Sequence, residues 1–228
     1  MGGRISGPIT VNIEETGCRP IIIGELYGGG NQAAYSVYGY KQVTTGEGDA
    51  AVTSWQPRTS AADSGTGPAE AYANPAVNVK SFTSIGDIYG GGYGATAVMV
   101  GNPQVSVNVV TGDQTNHAEA AIATEGTITI GENGSARTVT YPTHEKGKIG
   151  AINRIFGGGN AAEVIGTPHV MIGTAESVGY VTKASGETTA RTGIMPVGAD
   201  IRGNVYGGGN NADVTGNTRV EIGSKAEH

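Results

Sequence analysis

The stretch Ile155-Phe156-Gly157-Gly158-Gly159-Asn160-Ala161-Ala162-Glu163-Val164-Ile165-Gly166-Thr167-Pro168-His169-Val170-Met171-Ile172 carries the reading of the whole chain. An aromatic residue precedes three glycines, a short alternating segment runs to Gly166, and a second alternating segment, His-Val-Met-Ile, follows. The opening block recurs as Leu26-Tyr27-Gly28-Gly29-Gly30-Asn31, as Ile88-Tyr89-Gly90-Gly91-Gly92-Tyr93 and as Val205-Tyr206-Gly207-Gly208-Gly209-Asn210. The second segment recurs as Thr10–Ile13, Ala76–Val79, Gln104–Val107 and Arg219–Ile222, always in the form x-Val-x-Ile/Val.

A constant unit of about 22 residues with variable insertions accounts for the unequal spacing of Tyr27, Tyr89, Phe156 and Tyr206. Such a unit suits three short strands and three turns, one coil of a solenoid. The segment between the glycine triplet and its closing glycine is two residues longer in the first two copies than in the last two. In a strand this change keeps every side chain on its own face; in a helix it would swing the apolar stripe by about 200°.

Alternation then assigns the walls. Counted back from the closing glycine, Val37, Met99, Val164 and Val214 point inward, with Tyr35, Ala97, Ala162 and Ala212 two residues earlier. Val11 and Ile13, with their counterparts through Val220 and Ile222, line the next wall; Leu26, Ile88, Ile155 and Val205 line the third. Four to five rungs, about 4.8 Å apart, are expected. Corner glycines would supply the positive φ of tight turns, and Asn31, Asn160 and Asn210 a partial amide ladder that Tyr93 interrupts.

Three insertions separate the rungs, at about 40–73, 109–148 and 174–198, within a single domain spanning 1–228. The second contains two alternating runs around Asn133-Gly134, a type I′ hairpin signal, and the third reads as another hairpin. Both follow the x-Val-x-Ile strand, so they leave one corner and can touch. The first leaves from a different corner.

Composition narrows the function classes. Of 228 residues 40 are glycine, and the net charge of −6 with 14 scattered basic residues leaves no footprint for nucleic acid. No apolar run approaches the length of a membrane helix, so membrane insertion is not expected. Cys18 is the lone cysteine, which excludes an intrachain disulfide and a cysteine metal site. The segment Met1–Ser6 lacks the apolar core of a signal peptide, yet the repeat is running by Gly7; the expectation is an excerpt of a longer, exported protein.

Several motifs have simpler explanations than chemistry. Each block satisfies G-x-G-x-x-A, as in Gly28, Gly30 and Ala33, but no helix follows it and a dinucleotide site would not occur four times. A calcium ladder needs a carboxylate on every rung; Glu163 and Asp213 are matched by Ser36 and Val98 in the first two copies. The outward positions beside the valines, such as Thr10, Gln104, His169 and Arg219, are too mixed for an ice-binding array. His117 and the pair His144-Glu145 do not group with other ligands, so no metal or cofactor is expected, and the Asn133-Gly134-Ser135 sequon is explained by its turn.

The aromatic residues are the recurrent feature with functional promise. If Leu26 and its equivalents point inward, Tyr27, Tyr89, Phe156 and Tyr206 point outward and stack along one face, where they could bind sugar rings or pack a subunit. Coverage by an insertion, or an inward stack, is the competing reading. Glu25, Asp87, Arg154 and Asn204 lie nearby but are too varied for a repeated site.

The aromatic-Gly-Gly-Gly-Asn block and its two following strands resemble right-handed parallel β-helix repeats of large bacterial surface and adhesin-like proteins. The resemblance covers residues 7–39, 74–108, 149–173 and 199–223, departs from the pattern at Tyr93, and carries over no binding residue. It implies an all-β, single-stranded right-handed parallel β-helix in a cell-surface or secreted setting. The expected function is a non-catalytic scaffold or adhesin that presents its insertions to a glycan or a surface protein, with self-association through the rung ends or the aromatic face. The alternative is a polysaccharide lyase or glycoside hydrolase, by fold analogy alone; Asp113, Glu119 or Glu187 would then supply the carboxylates.

Overall fold

A computed structural model describes residues 3–15, 20–110, 126–130, 136–143, 150–175, 178–184, 187–194 and 196–223. The first pass of the chain forms β1 (Thr10–Glu14), β2 (Ile22–Tyr27) and β3 (Tyr35–Ser36), followed by the hairpin of β4 (Tyr40–Thr45) and β5 (Val52–Pro57). The second forms β6 (Ala76–Ser81), β7 (Ser84–Tyr89) and β8 (Met99–Val100). The third forms β9 (Gln104–Val107), the short β10 (Val109–Val110), the hairpin of β11 (Gly126–Ile130) and β12 (Arg137–Tyr141), then β13 (Ala151–Phe156) and β14 (Val164–Ile165). The last forms β15 (His169–Ile172), the hairpin of β16 (Val178–Ala184) and β17 (Glu187–Ile194), β18 (Pro196–Gly198), β19 (Asp200–Ile201), β20 (Val205–Tyr206) and finally β21 (Arg219–Ile222).

The fold is all-β and its main sheets are parallel. Sheet I has the order β1-β6-β9-β15-β21, sheet II the order β2-β7-β13-β19 with β20 also on β13, and sheet III the order β3-β8-β14, extended by a bridge from Val164 to Val214. The chain visits I, II and III in that order on every pass, so each strand lies beside its counterpart from the preceding pass. The x-Val-x-Ile segments are in register throughout sheet I: Val11 with Val77, Val77 with Val105, Val105 with Val170 and Val170 with Val220. Their inward valines and isoleucines meet those of sheet II in one apolar cluster, where Val77, Val105 and Val170 are wholly buried. Sheet III forms a second column from Tyr35, Val37, Met99 and Val164.

One assignment made by alternation is corrected, and one inward position lies beyond it. Tyr35, not Val37, pairs with Met99, which in turn pairs with Val164, so counting back from Gly39 misplaces the first copy by two residues. The slip is even, and both Tyr35 and Val37 still face the core. In sheet II, Ile85 and Ile88 both enter the core although three residues apart, as do Ile152 and Ile155. Strict alternation forbids that. The ladder skips Gly24, Gly86 and Asn153, and the strand changes phase there.

The glycine triplets also act differently from expectation. Gly28–Gly30, Gly90–Gly92, Gly157–Gly159 and Gly207–Gly209 do not have positive φ; that conformation falls on Gln32, Gly94, Ala161 and Asn211 just after them. What excludes a side chain from the triplets is the next layer. A Cβ on Gly90 would lie 2.2 Å from the Gly157 carbonyl oxygen, and one on Gly91 2.7 Å from the Gly159 nitrogen. The close approach is closed by hydrogen bonds, including Gly90 N–H to Phe156 O at 2.9 Å and Gly91 N–H to Gly158 O at 3.0 Å.

The insertions are antiparallel hairpins beside this stack. The pairing of Tyr40 through Thr45 with Pro57 through Val52 was not read from the sequence, although the segment alternates around Gly46-Glu47-Gly48. Ile130 opposite Arg137 ends the described ladder of β11 and β12; the turn at Asn133-Gly134-Ser135 lies outside the described residues, as does Cys18. The second and third insertions meet where β10 pairs with β18.

Two stability outcomes follow from this packing. Gly91→Ala should destabilise the protein by about 1–3 kcal/mol through overpacking, whereas Gly208→Ala, at the equivalent position where nothing lies within 4 Å, should be nearly neutral. Denaturant titration of both variants checks the contrast, and equal effects would contradict it. Val170→Asp places an unpaired carboxylate at a wholly buried site and should abolish the folded circular dichroism spectrum.

Candidate functional site

The outer face of sheet II arranges charged and aromatic side chains in two columns. Cross-strand register places Glu25 beside Asp87 and Asp87 beside Arg154, and two residues along it places Tyr27, Tyr89, Phe156 and Tyr206 in a row. The rings stack with centroids 4.9, 4.9 and 4.8 Å apart and planes within 9°, 8° and 14° of parallel. The strand ladder sets that spacing, since equivalent side chains in the same rotamer on in-register parallel strands repeat at the interstrand distance. The row is not an open platform. Tyr89 and Phe156 are 1% and 4% exposed, while Tyr206 at the last layer is 42% exposed.

The β11–β12 hairpin lies across part of this face. Val139 packs down where Gly86 leaves room: a Cβ on Gly86 would meet the Thr140 carbonyl at 2.8 Å and Val139 at 3.0 Å. The Ser84 hydroxyl donates to the Pro142 carbonyl at 2.8 Å. Arg137 forms the other attachment. Its guanidinium pairs with the Glu25 carboxylate, donates to the Tyr27 hydroxyl at 3.0 Å and lies 3.8 Å from the Tyr93 ring centroid. Tyr27 in turn donates to Glu25 at 2.6 Å and accepts from the Asn160 amide at 3.0 Å. Tyr93, which interrupts the asparagine ladder, thus provides the ring on which Arg137 rests, while the Asn210 side-chain amide still donates to the Asn160 side-chain oxygen at 3.0 Å.

Beside the hairpin opens a cleft of about 330 Å³. Asp87 and Arg154 sit in it as a two-pronged pair, Nε to Oδ1 at 2.9 Å and Nη2 to Oδ2 at 2.5 Å. Thr138 and Thr140 of β12 form one side, and Asn153, Asn160 and Asn210 contribute amides. Asp87 is buried against Arg154, and Arg154 remains partly exposed. Both carboxylates of the cleft are therefore held in ion pairs with arginines.

Glu25, Asp87, Arg154 and Asn204 vary from layer to layer, and in the stack the one pair of neighbours of opposite charge, Asp87 and Arg154, bonds. Alignment of the repeats contained that signal. Arg137 was not singled out, and nothing local to its hairpin marks it, because its hydrogen-bond partners Glu25 and Tyr27 are over 100 residues away in sequence. Of the carboxylates expected for the enzymatic alternative, Asp113 and Glu119 lie outside the described residues, as do His117, His144 and Glu145; Glu187 lies in β17 but its side chain is not described. Among the described residues no three His, Cys, Asp or Glu side chains converge on a metal position. No described helix is long and apolar enough to cross a membrane. No protein-family model, curated protein or solved structure matches this chain.

The buried phenols make stability depend on alkaline pH. Burial, with the neighbouring Tyr40 and Tyr72 adding to it, pushes Tyr35 up to about 12. Burial also raises Tyr27, where the hydrogen bond to Glu25 adds to the effect, and Tyr89, where the charge of Asp87 does. Unfolded tyrosine ionises near 10. Above that pH the folded chain binds more protons than the unfolded one, so the stability complete below about pH 10 falls as pH rises toward about 12. The part of the tyrosinate absorbance that comes from Tyr27, Tyr35 and Tyr89 should rise together with loss of the β-sheet dichroism in that window. Complete tyrosinate absorbance near pH 10 with the spectrum intact would contradict this.

Proposed function

We propose that this chain is a non-catalytic module of the bacterial cell-surface type, a right-handed parallel β-helix that acts as a rigid scaffold and presents its hairpin insertions to a glycan or protein ligand. The observation that carries the reading is the division of labour in the chain. Three parallel sheets are visited in constant order with valine over valine, and the antiparallel hairpins all leave that stack at its turns. A stack of identical layers is stiff and locally held, and its variable segments are the natural place for recognition. The setting is extracellular or at the cell surface.

Recognition of a glycan suits the face of sheet II. Saccharides bind through planar hydrogen-bonding side chains and flat apolar rings; the cleft gathers arginine, aspartate and asparagine side chains on this face, and Tyr206 is the exposed ring of the aromatic row. The Glu25–Arg137 and Asp87–Arg154 pairs favour binding over hydrolysis, because glycosidic cleavage relies on one carboxyl free to give a proton and another free to act as base or nucleophile. Self-association is a second consequence of the same architecture: Val220 and Ile222 of β21 are 41% and 68% exposed at an edge that no described strand covers.

The test is a polysaccharide panel scored at once for retention of the protein and for release of reducing ends. Retention without turnover is expected, weakened in Tyr206→Ala, whose ring is the accessible end of the row. Turnover would overturn the non-catalytic reading. Silence on both counts would remove the glycan and leave a scaffold for protein ligands.

A further inference from the structure

We infer that the cleft beside the β11–β12 hairpin is an acid-binding subsite, in which the free end of the Arg154 guanidinium takes the carboxylate or sulfate group of an acidic saccharide. The inference rests on the glycan reading above and names the site and the chemistry it recognises. Two ion pairs line the cleft, and both are oriented the same way. The side chains of Glu25 and Asp87 are 4% and 3% exposed, whereas those of Arg137 and Arg154 are 25% and 41% exposed. A group entering from solvent therefore meets guanidinium before carboxylate. The pairs cancel at a distance, but at contact the nearer charge dominates, because Coulomb energy falls with separation.

Arg154 can hold an anion after satisfying Asp87. A guanidinium carries five N–H donors in one plane. Asp87 takes one from Nε at 2.9 Å and one from Nη2 at 2.5 Å, so the side edge of that plane is spent. The end of the plane, with Nη1 and the second Nη2 hydrogen, has no acceptor among the described residues. Two parallel N–H groups remain there, the fork that matches two oxygens of a carboxylate or sulfate. Arg137 is committed further, with Nε and Nη2 on Glu25 and Nη2 also on Tyr27. It adds a second positive charge to the same cleft, and its Nη1 remains open among the described residues.

The shielded carboxylate beneath gives Arg154 its orientation. Asp87 grips the guanidinium from one side, and the Phe156 ring centroid lies 5.5 Å from Arg154 Cζ. A donor fork already held in place loses little side-chain entropy on binding. Asn153 and Asn210 line the same cleft, and the Asn153 side-chain amide and the Asn210 side-chain oxygen have no partner among the described residues. They suit the hydroxyls of the ring that bears the acid. The volume of about 330 Å³ is at the low end for ligand sites, so a single acidic residue of a longer chain would occupy it.

The experiment is calorimetric titration of the full chain at low and high salt. The ligands are oligogalacturonate, the same oligomer methyl-esterified at every carboxyl, a sulfated galactan oligomer without carboxylates, and sodium sulfate. Saturable binding of at least one acidic oligomer is expected, weakened by salt and tighter than binding of the ester or of sulfate ion. The double variant Asp87→Asn/Arg154→Gln removes the guanidinium and its partner's charge together, and should weaken that binding by about tenfold or more through lost charge-assisted hydrogen bonds. Arg154→Lys, which keeps a cation on Asp87 but has no two-donor fork, should also weaken it while its thermal unfolding stays close to that of the parent. Equal affinity for acid and ester, or indifference to salt, would overturn the acidic class and leave the glycan reading standing. Sulfate ion binding as tightly as the oligomers would overturn the saccharide as the source of the acid. Acid binding unchanged in Arg154→Lys and in the double variant would overturn the site. If no oligomer binds while a neutral polysaccharide is retained, this inference fails and the glycan reading stands; if no saccharide of either kind is held, both fail.

Discussion

Backbone-to-backbone contact at the glycine triplets is the constraint on which the rest of the structure depends. At this corner successive layers come so close that a Cβ on Gly28, Gly90 or Gly157 would lie 2.2–2.4 Å from a carbonyl oxygen of the next layer. Only a residue without a side chain satisfies that approach, and the same approach lets amides and carbonyls bond from layer to layer. With the corner fixed, the strand before it and the strand after it are fixed in height. The aromatic that precedes each triplet must stack on its counterpart, and the valines of sheet I must meet valines.

The aromatic row and the charged column beside it follow from this register, and the hairpin gives them consequence. Glu25 and Asp87 occupy equivalent positions in adjacent strands, an arrangement of like charges that is unfavourable by itself. Two arginines resolve it by different routes. Arg154 comes from the next strand of the same sheet, and Arg137 comes from an insertion. The second route ties the hairpin to the stack through a carboxylate, a phenol and an aromatic face together. Both ion pairs involve carboxylates largely withdrawn from water, where an unpaired charge would be costly. The cleft is what remains between that hairpin and the later layers.

Much of the architecture was legible because the repeat is written in residues with narrow physical roles. The x-Val-x-Ile segments pair in the expected register across all five strands of sheet I. Sheet III was legible only to within two residues, because an insertion before Gly39 changes where the closing glycine stands, and period-two patterns are blind to even slips. The inward turn of Ile23, Ile85 and Ile152 was not legible, since it comes from a phase change at Gly24, Gly86 and Asn153 that alternation does not encode. The outward direction of the aromatic row was readable from Leu26, Ile88 and Ile155, but its burial was not; that depends on what lies over it.

The sequence by itself determined the parallel, all-β arrangement and the alignment of the equivalent strands of sheet I, because both are imposed by local sterics and by repetition at a fixed unit. Tertiary structure alone decided which aromatics face solvent, which charges neutralise one another and where a cleft opens. Those outcomes depend on how the β11–β12 hairpin lies on sheet II, a contact between segments far apart in the chain, Ser84 with Pro142 at 58 residues and Glu25 with Arg137 at 112. No local propensity specifies such a contact; it is selected by the fit of Val139 over Gly86 and of Arg137 against Glu25, Tyr27 and Tyr93.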